Sequence, residues 1–351
     1  MVEKFMKQLV NRNALDFDYM NEFDLIYWIN DLKTNSKLKE IILSPAFQRL
    51  YDISFLGAID YSDCSKLPKI ERTRAYHSLC VAGIANYITS LRNYKSDLKE
   101  NIIAAALVHD IGHMPLSHSA EPYIKSHLGY GHHELGENII DGKISQDKTL
   151  FKLLKSKFDI NFIKQILNNK LITDGADLFN NKINIDTIDG IIRCLEYKGM
   201  NRHNSYNRLS IARSAFLEVE ETKKIQTLDD FWKAKHFVYC NYINTKHGIV
   251  SDTLSQIYFQ EIKKPSEEDL ISDESYWIKK HKVLFQWLSK YKKSCTPDIL
   301  DNYNINIIIR KYEIKDFEKD IHKRYVHEKK CSSLNVSENY NSKFVQLDFD
   351  V

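Results

Sequence analysis

Glycine and proline are scarce in this chain, 11 and 6 among 351 residues. Turn-rich β architectures need both. Their scarcity, with apolar residues recurring at spacings of three, four and seven, predicts a mainly helical protein. The six cysteines (Cys64, Cys80, Cys194, Cys240, Cys295, Cys331) form no CxxC pair. That excludes a zinc ribbon and points to reduced thiols in a cytoplasmic setting. No run of 18 apolar residues occurs, so no membrane-spanning helix is expected. A dominant charge sign is missing too: 50 Lys+Arg against 47 Asp+Glu leave +3, too balanced to mark a nucleic-acid or anionic-membrane binder by itself. The opening MVEKFMKQLVNRNALDFDYM breaks its apolar residues with charges and does not read as a signal peptide. What is present, 43% hydrophobic and 28% charged residues, suits a globular chain of one large or two modest domains.

The helical pattern is clearest at HSLCVAGIANYITSLRNY (77–94) and SDLKENIIAAALVHDIGH (96–113). Ser96 or Asp97 is expected to cap the second, and Gly112 and Pro115 to end it, placing His109 and Asp110 on its last turn. Further helices are predicted at 184–199 and 236–259. The charged, serine-rich KKPSEEDLISDES (263–275) suggests a boundary, giving units at 1–260 and 261–351. The second unit reads as α+β, with a helix at 276–293 and strand-like stretches at 304–312 and 343–351.

LVHDIGHMPLSHS (107–119) holds three of the chain's 13 histidines and one aspartate. An isolated His-Asp pair is weak evidence of a metal site. The neighbours strengthen it. His77 opens an amphipathic helix, His132, His133 and Glu134 follow in GHHELG, and Asp186 and Asp189 lie three apart on another helix. Buried histidines and aspartates are costly unless paired or bound to a cation, and a cluster of this size set among apolar helices calls for one.

The order His77, His109-Asp110, Asp186 resembles the HD-domain metal-dependent phosphohydrolases. SPAFQRLYDISFLGAI (44–59), RTRAYHSL (72–79), ALVHDIGHMPLSHS (106–119), HHELG (132–136) and NIDTIDGIIR (184–193) are similar to its deoxynucleotide triphosphohydrolase branch, over roughly 40–260. The resemblance implies a helical HD core and a divalent metal on His77, His109, Asp110 and Asp186. Two nitrogens and two carboxylates suit Mn²⁺, Mg²⁺, Zn²⁺ or iron. It also implies that His113, His118 and His133 surround the phosphate, with Glu134 fixing the His133 tautomer, and that Arg74 contacts phosphate. Asp189 is expected to be structural, and His127, His132, His203 and His247 structural or superficial.

The substrate block departs from that branch. Phe55 stands where the branch has a sugar-contacting glutamine, and Thr187, Gly190 and Cys194 replace its lysine, tyrosine and second aspartate. Lys235 takes the place of a clamp arginine, Tyr239 and Ile243 follow it in place of a histidine and a tyrosine, and Lys246 matches a basic position. Each lost contact to a charged phosphate is worth about 1.5–3 kcal/mol, so Arg193, Lys198 or Arg202 would have to refill the clamp, or the substrate differs.

Three functions follow as expectations. The first is hydrolysis of a dNTP to deoxynucleoside and triphosphate. The second is a nucleotidase or phosphodiesterase acting on a monophosphate or a cyclic or modified nucleotide. The third is a nucleotide- or nucleic-acid-binding component of a complex, suggested by six lysines among aromatics in 276–293. An apolar stripe with a lysine face explains that segment better. The resemblance further implies a homo-oligomer with a nucleotide activator.

Overall fold

The computed structural model describes residues 24–63, 65–144, 148–170, 172–201, 206–292 and 304–335, without the side chains of 246, 292, 304–308 and 332–335. The helices that matter here are α1 (Leu25–Leu32), α2 (Arg74–Leu91), α3 (Ser96–Val108), α4 (Ser117–Leu128), α5 (His132–Ile140), α6 (Ile185–Tyr197), α7 (Arg208–Phe216), α8 (Glu221–Val238), α9 (Lys246–Glu261), α10 (Glu274–Lys280) and α11 (Lys282–Lys292). Two antiparallel strands follow, β1 (Asn304–Ile314) and β2 (Tyr325–Asn335), paired from Asn304↔Asn335 to Ile314↔Tyr325. The mainly helical expectation, with a small β element near the C-terminus, is met.

α2 is apolar on nearly every side, burying Ala75, Leu79, Val81, Ala82, Ile84 and Ile88. Thr73 caps it by accepting from the Tyr76 amide at 3.3 Å. An all-round apolar helix has to lie in the centre of a bundle, and α1, α3, α6 and α7 pack around it. α3 begins at Ser96 without a side-chain cap and stops at Val108. Its expected last turn is therefore a turn, with the His113 amide bonded to the Asp110 carbonyl at 3.0 Å. The expected helix at 236–259 is two helices: α8 runs from Glu221 into a π-helical turn (Tyr239–Ile243), and α9 restarts under Thr245, which accepts from the Gly248 amide at 3.2 Å.

The segment 263–292 is bonded to the HD-like body. Glu274 is buried and accepts from the Leu116 amide (2.9 Å), Tyr61 (2.7 Å) and Ser54. α11 packs on α9, burying Leu284, Phe285, Leu288 and Tyr291, while Val283 and Lys290 face solvent. The apolar stripe is present: Trp277, Phe285 and Tyr291 lie inside, Trp287 is half-buried and Tyr276 exposed. Residues 343–351, expected as a strand, lie outside the described residues, and the second strand is Tyr325–Asn335.

Candidate metal centre

α2 supplies His77, the turn after α3 supplies His109 and Asp110, and the first turn of α6 supplies Asp186. Their ligand atoms converge. His77 Nε2 lies 3.3 Å from His109 Nε2, 3.1 Å from Asp186 Oδ1 and 3.7 Å from Asp110 Oδ2. His109 Nε2 lies 3.5 Å from Asp110 Oδ1 and 4.0 Å from Asp186 Oδ1.

The remaining ring nitrogens set the tautomers. His109 Nδ1 donates to the Ala106 carbonyl at 2.8 Å, and His77 Nδ1 to Asp189 Oδ2 at 2.6 Å. Both acceptors are acceptor-only, so each Nδ1 carries its hydrogen and a neutral ring turns an Nε2 lone pair inward. Both lone pairs then lie with the Asp186 carboxylate in a group close enough to hold a cation, and Asp110 stands beside it, one oxygen on Arg74. Burial disfavours a charged His77, yet its hydrogen bonds to Asp186 and Asp189 outweigh it and raise its pKa, so a metal on Nε2 would take the place of a proton. The donor set fits a divalent metal.

Asp189 is more than a bland structural carboxylate. It is fully buried behind His77 and also binds Arg193 (Nη2, 2.8 Å) and Arg208 (Nε, 2.5 Å). Arg208 is held in turn by both oxygens of Glu196 at 2.6 and 2.7 Å. An asparagine cap explains the placement locally: Asn184 accepts from the Thr187 amide at 2.7 Å, starting α6 so that Asp186 and Asp189, three apart, both reach His77.

Beside the centre lies a second cluster. His113, His118 and His132 bring ring nitrogens within 4.8 Å of one another, and the His113 and His132 rings stack at 4.2 Å. Glu121 binds Nδ1 of His118 at 3.0 Å and of His132 at 2.7 Å, leaving both Nε2 atoms free. Its own pKa falls well below the carboxylate range, burial being outweighed by the two histidines. His113 is held well below the ordinary histidine value by burial and the nearby Arg74 charge, so it is neutral.

Several expected assignments change. His132, taken as structural, belongs to this cluster, and exposed His133 lines a neighbouring cleft with His109, Gly136 and Glu137. Glu134 does not orient His133. It pairs with Lys125 (2.8 Å) and caps α5 through the Gly131 amide (2.9 Å), while Glu121 orients His118 and His132 instead. Arg74 is buried on Asp110 (2.8 Å), Ser117 (3.1 Å) and the Phe55 carbonyl (2.8 Å) rather than turned to a phosphate. Phe55 is a wall, its ring 4.8 Å from that of His77. Arg193 and Lys198 cannot refill a clamp because Asp189 and Asp63 hold them. Lys235 has no hydrogen-bond or ion-pair partner among the described residues; its ammonium lies over Trp232 and Tyr312. The side chain of Lys246, like Arg202 and His203, lies outside the described residues. His127 stacks on Tyr123 and His247 on Tyr291, as superficial or structural residues do.

The clusters adjoin because Gly112 lets α5 approach the turn. A Cβ there would lie 2.1 Å from the His132 carbonyl and 2.2 Å from the Gly136 amide. Gly112→Ala is therefore expected to push α5 out, lowering stability by about 1–3 kcal/mol through overpacking and opening the His113–His132 stack. A thermal melt with histidine NMR checks this; unchanged ring shifts would contradict it. The turn beyond is strained as well: Leu116 and Ser117 have φ of 60° and 45°, a conformation costly to residues with a Cβ. Glu274 on the Leu116 amide and the Ser54 carbonyl on Ser117 Oγ (2.7 Å) pin it, and so aim His118.

Residues 74–182 match the HD domain family. An uncharacterized protein of Mycoplasma genitalium is 23% identical over 66% of this chain and 57% of its own length. One from Methanocaldococcus jannaschii is 28% identical over 58% of this chain and 38% of its own. The chain thus spans little more than half, or less, of these relatives. A deoxyguanosinetriphosphate triphosphohydrolase-like protein of Rickettsia bellii is 42% identical, over 17% of this chain and 16% of its own. A solved structure, a hypothetical protein from Aquifex aeolicus, has the same fold at a TM-score of 0.61 and 17% identity, covering 90% of this chain and 96% of that one. No helix among the described residues is long and apolar enough to cross a membrane. The stretch bearing His77, His109, Asp110 and the histidine trio is thus the part of the chain that is similar to the HD domain family.

Proposed function

We propose that this chain is a metal-dependent phosphohydrolase acting on nucleotides, with cleavage of a dNTP to deoxynucleoside and tripolyphosphate as its leading reaction. The observation that carries the reading is the convergence of His77, His109, Asp110 and Asp186 beside a histidine trio ordered by Glu121. A divalent cation there lowers the pKa of water and draws charge from a phosphoryl oxygen.

The chain's own residues supply the rest. Asp189 and the Ala106 carbonyl fix the two metal-binding rings. Neutral His113 donates one N–H toward developing charge. His118 and His132, with Nδ1 on Glu121, present Nε2 to the reacting groups. Water oxygen bonds to the α-phosphorus as the bond to O5′ breaks, and the proton the water sheds passes through this pair to the departing oxygen, so both products leave balanced.

A nucleotidase or phosphodiesterase reading is favoured by Arg74, Arg193 and Lys198 all being engaged internally. The same resemblance leads us to propose a homo-oligomer with a nucleotide activator. Chromatography of dNTPs, NTPs, monophosphates and cyclic nucleotides on metal-supplemented protein, with and without a second nucleotide, tests all of this beside His109→Ala. Nucleoside plus tripolyphosphate is expected from wild type alone. Orthophosphate from monophosphates with triphosphates untouched would replace the leading reaction, and equal turnover by His109→Ala would end the metal-dependent reading.

A further inference from the structure

The hairpin is clamped to α8. Arg324 grips Asp229 with Nε at 2.8 Å and Nη2 at 2.5 Å, Tyr325 donates to the same carboxylate at 2.9 Å, and Trp232 donates to the Glu313 carbonyl at 3.0 Å. Lys182, just before α6, donates to the Tyr325 carbonyl at 2.8 Å. These bonds fix the hairpin beside the helix that carries Asp186.

Its face toward α8 has an unusual charge pattern. In the antiparallel register Arg310 opposes Lys329 and Tyr312 opposes His327. Directly opposed residues share a face, and like charges in that position are destabilising. Lys235 adds a third cation from α8, its ammonium 5.0 Å from the Tyr312 ring centre. Arg310 reaches the Tyr239 hydroxyl at 3.2 Å, at the C-terminal end of α8. Among the described residues none of Lys235, Arg310 and Lys329 has a carboxylate partner. The hairpin's own acids are elsewhere: Glu313 pairs with Lys311 on the other face at 2.7 Å.

Cations gathered with no carboxylate paired to them among the described residues, and near enough to the candidate metal centre for Asp186 to act on Lys235, make an anion site. We propose that β1 completes a polyphosphate clamp in which Arg310 and Lys235 bind the phosphate chain of the nucleotide whose reacting phosphorus lies at the metal centre. This rests on the proposed function only for which molecule brings the phosphates. Burial pushes the Lys235 ammonium down to about 8; the Asp186 charge opposes that shift and the Arg310 charge adds to it. A bound phosphate chain would supply the missing counter-charge. The clamp also accounts for the substrate block: with Arg193 and Lys198 unavailable, the second cation comes from a strand distant in sequence.

The test is calorimetric titration of the full, metal-supplemented chain with inorganic tripolyphosphate and with orthophosphate. Tripolyphosphate is expected to bind more tightly, and Arg310→Ala, Arg310→Gln and Lys235→Gln each to weaken it about tenfold or more, the scale of a charged hydrogen bond. Lys330→Ala, paired with Ile309 and on the opposite face, should leave it unchanged. Arg310→Gln keeps a donor for Tyr239, so a folding defect in Arg310→Ala leaves the test intact. Unchanged affinity in both Arg310 variants overturns the clamp, even if wild type hydrolyses nucleotides. Affinity lost in those variants upholds it, even if no nucleotide is hydrolysed. Tighter binding of a single-stranded oligonucleotide, lost in the same variants, would overturn it in favour of a nucleic-acid groove.

Discussion

Asp186→Ala is expected to empty the metal centre while leaving the fold standing. Its side chain is 57% exposed and touches His77 across 3.1 Å, so its removal opens no cavity. The fold should lose no more than the one hydrogen bond to His77, about 1.5–3 kcal/mol. Asp110→Ala is a poorer probe, because the Asp110 side chain is 7% exposed and holds the buried Arg74 guanidinium. Losing an outer partner of a metal ligand usually costs 10–100-fold in affinity, and losing the carboxylate ligand itself should cost about 100-fold or more. Elemental analysis after dialysis, with Mn²⁺ titration and a thermal melt, reads both halves. Full metal occupancy in Asp186→Ala would remove Asp186 from the ligand set; a large drop in melting temperature would mean its role is structural.

Asp189→Asn should do the reverse, damaging stability first and metal binding through His77. Asp189 is wholly buried and answers to Arg193, Arg208 and His77 at once. Neutralising it leaves the two guanidinium groups sharing only Glu196 and the Glu71 carbonyl. Breaking a buried charge pair from one side costs about 3–5 kcal/mol. Burial opposes ionisation of Asp189, but the Arg193 and Arg208 charges overcome it and hold its pKa well below the usual carboxylate range. The sign of the pH dependence follows. A carboxylate whose folded pKa is depressed contributes in full above its unfolded value of about 3.9 and loses that contribution as pH falls through the folded one. The gap between wild type and Asp189→Asn should therefore be widest at neutral pH and narrow below about pH 4. Denaturant melts across that range check it; a gap independent of pH would mean that packing, not charge, makes the difference. Asparagine keeps an acceptor for His77 but loses the charge, so metal affinity should fall 10–100-fold.

The candidate metal ligands were legible in sequence because each is fixed by local structure. His77 follows a Thr cap on an apolar helix, His109 and Asp110 follow the end of another, and Asp186 sits in the first turn after an Asn cap. Scarce glycine and proline, with helical apolar spacing, likewise determined the fold class. The breaks at Asn244 and His281 were not legible, because the apolar pattern continues across them.

What tertiary structure alone decided is which polar groups meet. Glu121, not Glu134, orders His118 and His132, since Gly112 lets α5 approach the turn that leads into α4, while Glu134 is held by its own cap and by Lys125. Arg74 and Arg193 are buried behind Asp110 and Asp189, so the arginines nearest the motifs support the ligands from behind. Glu274 reaches the strained Leu116–Ser117 turn from 158 residues away. Arg310 meets Tyr239 across 71. Local spacing specifies a helix face and its cap. Contacts between distant segments depend on how those faces pack, and that is settled only when the whole core closes.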